Sequence, residues 1–243
     1  SNSSHPNGIK AYDSSIMSAN LICSAGGKYG SKGNFSPDPL VDCPHFSDPL
    51  EGRPAPAVSP CAANSLVVNN QTLDLWPGTY CGGLTITGSS VVKLKPGIYV
   101  MKDGPLIVDM TASMEGVGVG IYFSGQKSSF LFDRDSTISL TAPTDGVMAG
   151  ILLFGDRSQS SVTYTIQSDH ARQLLGTIYL PNGELSVDAG QPIADQSAYT
   201  AIVARKIRGR SGPTVTLNTR YEQTEVPVPT GIRGVGQGIA LVK

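Results

Sequence analysis

The chain has 243 residues, of which 40% are apolar, 15% charged and 7% aromatic, and 18 basic against 19 acidic side chains leave a net charge of −1. That composition is too apolar for a disordered chain and provides no whole-molecule attraction toward nucleic acid or anionic membrane. The 28 glycines and 17 prolines follow no three-residue period, which excludes collagen, and no apolar run approaches the ~20 residues of a bilayer span.

The opening stretch to Leu21 reads as a first coil of short strands, with Ile9, Ile16 and Ile22 as inward candidates. No secretion-signal pattern is expected here; Ser1-Asn2 reads as an expression scar, and the chain reads as a fragment of a longer protein. Gly26-Gly27-Lys28-Tyr29-Gly30-Ser31-Lys32-Gly33 reads as a flexible loop. Pro37, Pro39, Pro44, Pro49, Pro54, Pro56 and Pro60 follow within 24 residues. Proline cannot donate to a β-ladder, so this segment reads as an extended surface crossing.

The clearest repeat comes next. Trp76-Pro77-Gly78-Thr79-Tyr80-Cys81 is echoed by Lys95-Pro96-Gly97-Ile98-Tyr99-Val100, and Pro-Gly-x-Tyr recurs after 19 residues. A turn dipeptide, an aromatic and a β-rich run returning at about 20 residues predict a stacked repeat. Short runs then continue through Leu106-Ile107-Val108, Ile121-Tyr122-Phe123, Phe130-Leu131-Phe132, Ile151-Leu152-Leu153-Phe154 and Thr177-Ile178-Tyr179-Leu180 to Val215-Thr216-Leu217. Helical periodicity is absent. One register is expected through Tyr99, Tyr122, Leu153, Tyr179 and Val203. With so few aromatics, the core is expected to be mainly Val, Ile, Leu and Ala.

These signals predict an all-β chain folded as a single-stranded, parallel, right-handed β-helix with Pro/Gly-rich loops. Its expected parts are 1–65, an N-terminal coil with a Pro-rich stapled segment of the same domain; 66–222, the β-helix core; and 223–243, a tail or cap. The Pro-rich region and Val226-Pro227-Val228-Pro229 are expected to shield the open end coils.

Cys23 and Cys43 are 20 residues apart, as are Cys61 and Cys81. A residue one period later lies ~4.8 Å away on the next coil, within disulfide reach. The spacing predicts Cys23–Cys43 and Cys61–Cys81, with four free buried thiols as the alternative. Disulfides would imply an oxidising, extracytoplasmic setting. No C-x-x-C exists and His5, His45 and His170 are scattered, so neither metal nor cofactor is expected.

Candidate chemistry is sparse. Asp133-Arg134-Asp135 could join Asp103, Asp109 or Asp188 in an acidic patch for a metal or sugar, but it also suits a solvated turn. Asp156-Arg157 reads as a structural pair or turn. Gly116-Val117-Gly118-Val119-Gly120 precedes a strand, and Gly234-Val235-Gly236-Gln237-Gly238 lies near the end of the sequence; neither opens a helix as a dinucleotide loop must. Lys206, Arg208 and Arg210 alternate with Ile207 and can share an outward face toward an acidic glycan, a headgroup or a partner; a solvated strand face is the plainer reading. Ser158, Ser160 and Ser161 have no nucleophile elbow. No catalytic residue is expected.

Several phrases in order resemble a known family: Ser18-Ala19-Asn20-Leu21-Ile22-Cys23, Asp48-Pro49-Leu50, Pro54-Ala55-Pro56, Pro77-Gly78-Thr79-Tyr80-Cys81-Gly82-Gly83, Leu140-Thr141-Ala142-Pro143-Thr144-Asp145-Gly146, Ala149-Gly150-Ile151-Leu152, Gly155-Asp156-Arg157, Leu175-Gly176-Thr177-Ile178-Tyr179-Leu180-Pro181-Asn182 and Val226-Pro227-Val228-Pro229. Over nearly its whole length the chain resembles the C-terminal region of TadG-like proteins, associated with tight-adherence (Flp-type) pilus assembly in bacteria. The resemblance implies an exported part of a longer protein anchored by an N-terminal membrane helix, on the periplasmic or cell-surface side of the envelope. It implies a non-enzymatic structural or interaction role, with pilus-assembly or envelope proteins, or peptidoglycan or another glycan, as partners. It supplies no catalytic residue. A carbohydrate-binding or polysaccharide-active β-helix is the alternative.

Overall fold

The computed structural model describes residues 1–232 apart from Asn20, Phe46 and Ser211. The chain is all-β, with parallel strands stacked as a solenoid of about nine turns. In chain order, β1 (Ile9–Ala11), β2 (Met17–Ser18), β3 (Lys28–Tyr29) and β4 (Phe35–Ser36) come first. After the Pro-rich segment come β5 (Cys61–Asn69), β6 (Thr72–Leu75), β7 (Gly78–Thr87), β8 (Val91–Leu94), β9 (Gly97–Lys102), β10 (Leu106–Val108) and β11 (Ser113–Gly116). The stack continues with β12 (Val119–Ser124), β13 (Phe130–Phe132), β14 (Thr137–Thr141), β15 (Ile151–Gly155), β16 (Thr163–Ile166), β17 (His170–Val187) and β18 (Thr200–Gly209).

The strands form three faces. The first face runs through the start of β5 and of β7, then β9, β12, β15, the middle of β17 and the start of β18. The second holds the later parts of β5 and β7, then β10, β13, β16, and the ends of β17 and β18. The third stacks β6, β8, β11, β14 and the start of β17.

The Pro-Gly-x-Tyr phrase is a corner. Tyr80 turns its ring inward and donates its hydroxyl to the Trp76 carbonyl at 2.7 Å. The Tyr99 hydroxyl lies 2.8 Å from the carbonyls of both Lys95 and Leu75, so it closes its own corner onto the one below. Gly97 has φ +138, and a Cβ there would sit 2.4 Å from Pro77 Cγ. Only glycine lets one corner rest on the proline of the previous corner. The period is therefore set by corner-on-corner contact as well as by the strand ladder.

Inside, the main core runs from Val68 to Val226 and is largely aliphatic. Phe123, Phe130, Phe132 and Tyr164 form one aromatic knot within it, with centroids 4.7–5.6 Å apart. The expected single register splits in two. Tyr99 pairs with Ile121 and then Leu153, on the inner side. Tyr122, Tyr179 and Val203 belong to the adjacent column, with Val100 and Phe154, on the outer side of the same strands. A shift of one residue changes the face.

The opening residues are not the first coil of the stack. β1 pairs in parallel with β18, Lys10 opposite Arg208 and Ala11 opposite Gly209. β3 pairs with β1, β4 pairs with β2, and Ile16 bridges Thr214. The N-terminus thus supplies the turns beyond β18, at the opposite end from β5. The glycine-rich segment expected to be a flexible loop contributes β3 and a short 3-10 turn, Lys32–Asn34. Ile9, Ala11, Ile22 and Phe35 make a small core there, whereas Ile16 is 47% exposed and does not join it.

The Pro-rich segment then returns along the rod. Ser59 meets Thr79, Arg53 donates to the Val147 carbonyl at 2.8 Å, and Leu50 packs on Tyr122, Phe154 and Tyr179. It covers the outer side of the first face rather than an end coil. Val226-Pro227-Val228-Pro229 also lies on the flank: Tyr199 donates to the Pro227 carbonyl at 2.7 Å, and Gly150 abuts Pro227. First-face strands are therefore buried on both sides, which explains their unbroken apolar runs. The expected boundary at residue 65 cuts β5, and the contiguous stack opens at Cys61.

Candidate functional site

Both disulfides join residues on neighbouring turns, with Cα–Cα distances of 6.0 Å for Cys23–Cys43 and 5.7 Å for Cys61–Cys81. They sit at opposite ends of the rod. Cys61–Cys81 ties β5 to β7; Cys23–Cys43 ties the N-terminal turns to the start of the return crossing.

The basic residues face outward on the second face, close to the junction with the N-terminal turns. They are not an uncompensated stripe. Lys206 stands opposite Glu184 in the ladder, with Nζ 2.6 Å from its carboxylate, and Arg208 Nε lies 3.0 Å from the same group. Arg210 places its guanidinium 5.8 Å from the Tyr12 ring centroid. Glu184 is nearly buried and is the residue that sequence reasoning missed. Its signal was its place one coil before Lys206, which only the register reveals.

Asp133 is a turn residue: Ser136 donates both its N–H and its hydroxyl to the Asp133 carbonyl. The N–H groups of Asp109, Asp133 and Asp188 bind the carbonyls of Ile86, Val108 and Ile166, so all three occupy the same corner in different coils. Asp135 lies two residues beyond Asp133 in the turn, and Asp103 sits at a different corner, between the first and second faces. Arg134 runs along this column, 3.7 Å from Asp169 and 3.2 Å from the Asp188 carbonyl. Among the described residues no three acidic, histidine or cysteine side chains converge as metal ligands.

Asp156-Arg157 is the clamp that holds the crossing. Arg157 stacks over the Phe154 and Tyr179 rings, donates from Nε to the Tyr179 hydroxyl at 2.9 Å, and donates to the Leu50 carbonyl. Tyr179 in turn donates to the Asp48 carboxylate. Burial, reinforced by Asp48, pushes the Tyr179 phenol well above its usual value. Tyr122 is pushed up to about 12, first by burial and then by Asp156. Gly116-Val117-Gly118-Val119-Gly120 forms a corner, with the Gly118 carbonyl accepting from Gly97 N–H at 2.8 Å. Gly234-Val235-Gly236-Gln237-Gly238 lies outside the described residues.

One opening lies where the stack meets the N-terminal turns. It is a cleft of about 960 Å³ lined by β18, including Lys206 and Arg208, and by Ser1, Ile22, Cys23 and Ile232. No family model, no curated protein and no solved structure matches this chain.

Proposed function

We propose that this chain is a non-enzymatic, extracytoplasmic rod of the bacterial envelope that serves the assembly of tight-adherence pili. The observation that carries the reading is the pair of disulfides closing both ends of a solenoid. Such bonds persist in oxidising compartments, where a reducing cytosol cannot open them. About nine turns at ~4.8 Å give a rod of roughly 40 Å, which suits a spacer that presents a flank to a partner. The resemblance to TadG-like proteins names pilus-assembly or envelope proteins, or peptidoglycan, as that partner, and a membrane helix upstream as the anchor.

The test is photo-crosslinking in cells, using the native-length protein with a photoreactive residue at outward positions Ile107 and Thr165. Crosslinks to pilus or wall components are expected, with all four cysteines protected from alkylation. Reactive thiols in intact cells, or crosslinks confined to cytosolic proteins, would sink the reading. A glycan-binding role draws on the shared corner of Asp109, Asp133 and Asp188. Binding on a glycan array that disappears with Asp133→Ala would favour it, and silence across the array counts against it.

A further inference from the structure

The outward column of the second face changes character near one end of the rod. From Val67 through Thr85, Ile107, Leu131 and Thr165 to Ser186 it carries no charge. The next two positions are Arg208 and Lys10. They stand opposite each other in the ladder, where like charges repel. Glu184, one coil earlier, is shared by Lys206 and Arg208. Among the described residues, which include every Asp and Glu of the chain, no carboxylate pairs with Lys10 or Arg205. Arg205 Nε donates instead to the neutral Asn182 carbonyl at 3.2 Å.

Lys10, Arg205 and Lys206 line a recess of about 190 Å³ whose other wall is Ser3, His5, Asn7 and Gly8. That wall is fixed by its own hydrogen bonds. His5 N–H donates to Ser3 Oγ at 3.3 Å, Gly27 N–H donates to the His5 carbonyl at 3.1 Å, and Asn7 N–H donates to His5 Nδ1 at 2.9 Å. The last bond leaves the imidazole N–H on Nε2, so the free end of the ring is a donor. A Cβ at Gly27 would lie 2.1 Å from the Pro6 carbonyl oxygen, so glycine is what lets this wall close against the next turn. The recess thus gathers ammonium, guanidinium, imidazole, hydroxyl and amide groups, and among the described residues no carboxylate lines it. Two uncompensated cations match the charge of about −1.5 to −2 on a phosphate monoester. Its three terminal oxygens accept from an arginine fork and a lysine together. A carboxylate, with one charge and two oxygens, would leave one cation unmatched. At about 190 Å³ the recess is smaller than the ~300 Å³ of small drug-sized sites, so it encloses an end group and leaves the rest of the ligand outside.

We propose that this recess binds the phosphate monoester at the end of a larger molecule, with Lys10 and Arg205 as its principal cations and the His5 Nε2 donor on the opposite wall. A phosphorylated glycan and a phosphomonoester lipid headgroup share that chemistry. The site adds a ligand to the rod and does not depend on the pilus reading.

Isothermal titration calorimetry of the full chain at low salt tests this with inorganic phosphate, glucose 6-phosphate and glucuronate. Flotation with phosphatidylcholine vesicles, with and without phosphatidic acid, tests the headgroup. Saturable binding of both soluble phosphates is expected, with glucuronate weaker by at least about tenfold. Lys10→Ala and Arg205→Ala should each weaken phosphate binding by about tenfold or more. Lys93→Ala, which removes a cation from the third face, should leave it unchanged. Without ligand, the denaturation midpoint of Lys10→Ala should be unchanged or raised, because the repulsion from Arg208 is relieved; its lost binding then reports the site and not unfolding. Glucose 6-phosphate binding without flotation assigns the phosphate to a glycan. Flotation in addition, dependent on phosphatidic acid and on Lys10, assigns it to a headgroup, and either result supports the site. No saturable binding of either soluble phosphate overturns the proposal. So does glucuronate binding as tight as glucose 6-phosphate, full affinity in both Lys10→Ala and Arg205→Ala, or an equal loss in Lys93→Ala, which would reduce the effect to net charge.

Discussion

The two ends of the rod are built by different means. At the Cys61 end, β5 pairs with β7 along nearly its whole length, and its inner residues continue the main core. At the other end the strands β1 to β4 are two or three residues long, and the core is four buried residues. A polar hub compensates there. Asn34, nearly buried, donates to the carbonyls of Asp13 and Ser15 at 2.9 and 2.7 Å and accepts from Ser31 N–H at 2.6 Å. The lesson is that a coil next in sequence is held by stacking, whereas a coil imported from the far terminus relies on a staple, a strap and a hydrogen-bonded hub.

High pH should break the comparison most strongly. Tyr80, Tyr99, Tyr122, Tyr164 and Tyr179 all have raised pKa values, chiefly through burial, and all lie in the contiguous stack. A raised phenol contributes stability that is fully present below the free value of ~10 and is lost as pH climbs through the raised value, about 12 for Tyr122. Each phenol that must ionise weakens folding by up to ~1.4 kcal/mol per pH unit above pH ~10. Denaturant midpoints should hold to pH 9 and collapse by pH 12; a flat profile would contradict the burial.

Leu50→Ala should cost about 2–5 kcal/mol, because it empties the contact of the crossing with Tyr122, Phe154 and Tyr179. Chemical denaturation measures it, and a loss under 1 kcal/mol would mean that the strap does not hold the rod. Removing either disulfide by a double Cys→Ser change opens a loop of 20 residues, worth ~3 kcal/mol. The location separates them: hydrogen exchange should quicken in β1 and β3 after losing Cys23–Cys43, and in β5 after losing Cys61–Cys81. Identical patterns would show that the ends are not independent. Asn34→Ala leaves buried carbonyls unpaired at a cost of about 1–3 kcal/mol, and should quicken exchange in β1 and β4 only. At the other end, Asp74→Ala removes an exposed 2.7 Å pair with Lys95 and should change stability by less than ~1 kcal/mol.

Legibility tracked periodicity. The Pro-Gly-x-Tyr corner could be read because its glycine and tyrosine are needed wherever one corner rests on another. The cysteine pairs could be read because one period separates neighbouring turns. The alternation of Lys206 and Arg208 could be read because a strand alternates. The inner and outer columns through Tyr99 and Tyr122 could not, because both sides of the first face are apolar and alternation carries no contrast there. Glu184 escaped notice because its role depends on the register between coils with loops of unequal length. Arg157 escaped as a clamp because its partner in the crossing, the Leu50 carbonyl, is 107 residues away.

What the sequence determined by itself was therefore the repeating unit: short parallel strands, glycine-permitted corners and cysteines one turn apart. These are local or one-period relations, and side-chain volume and backbone freedom express them directly. What only the tertiary structure decided was where the N-terminus goes. Strands of two or three residues contain no code for a partner, so their stacking on β18 followed from the open edge of the last coil and from the 43–61 crossing that leads back to the first.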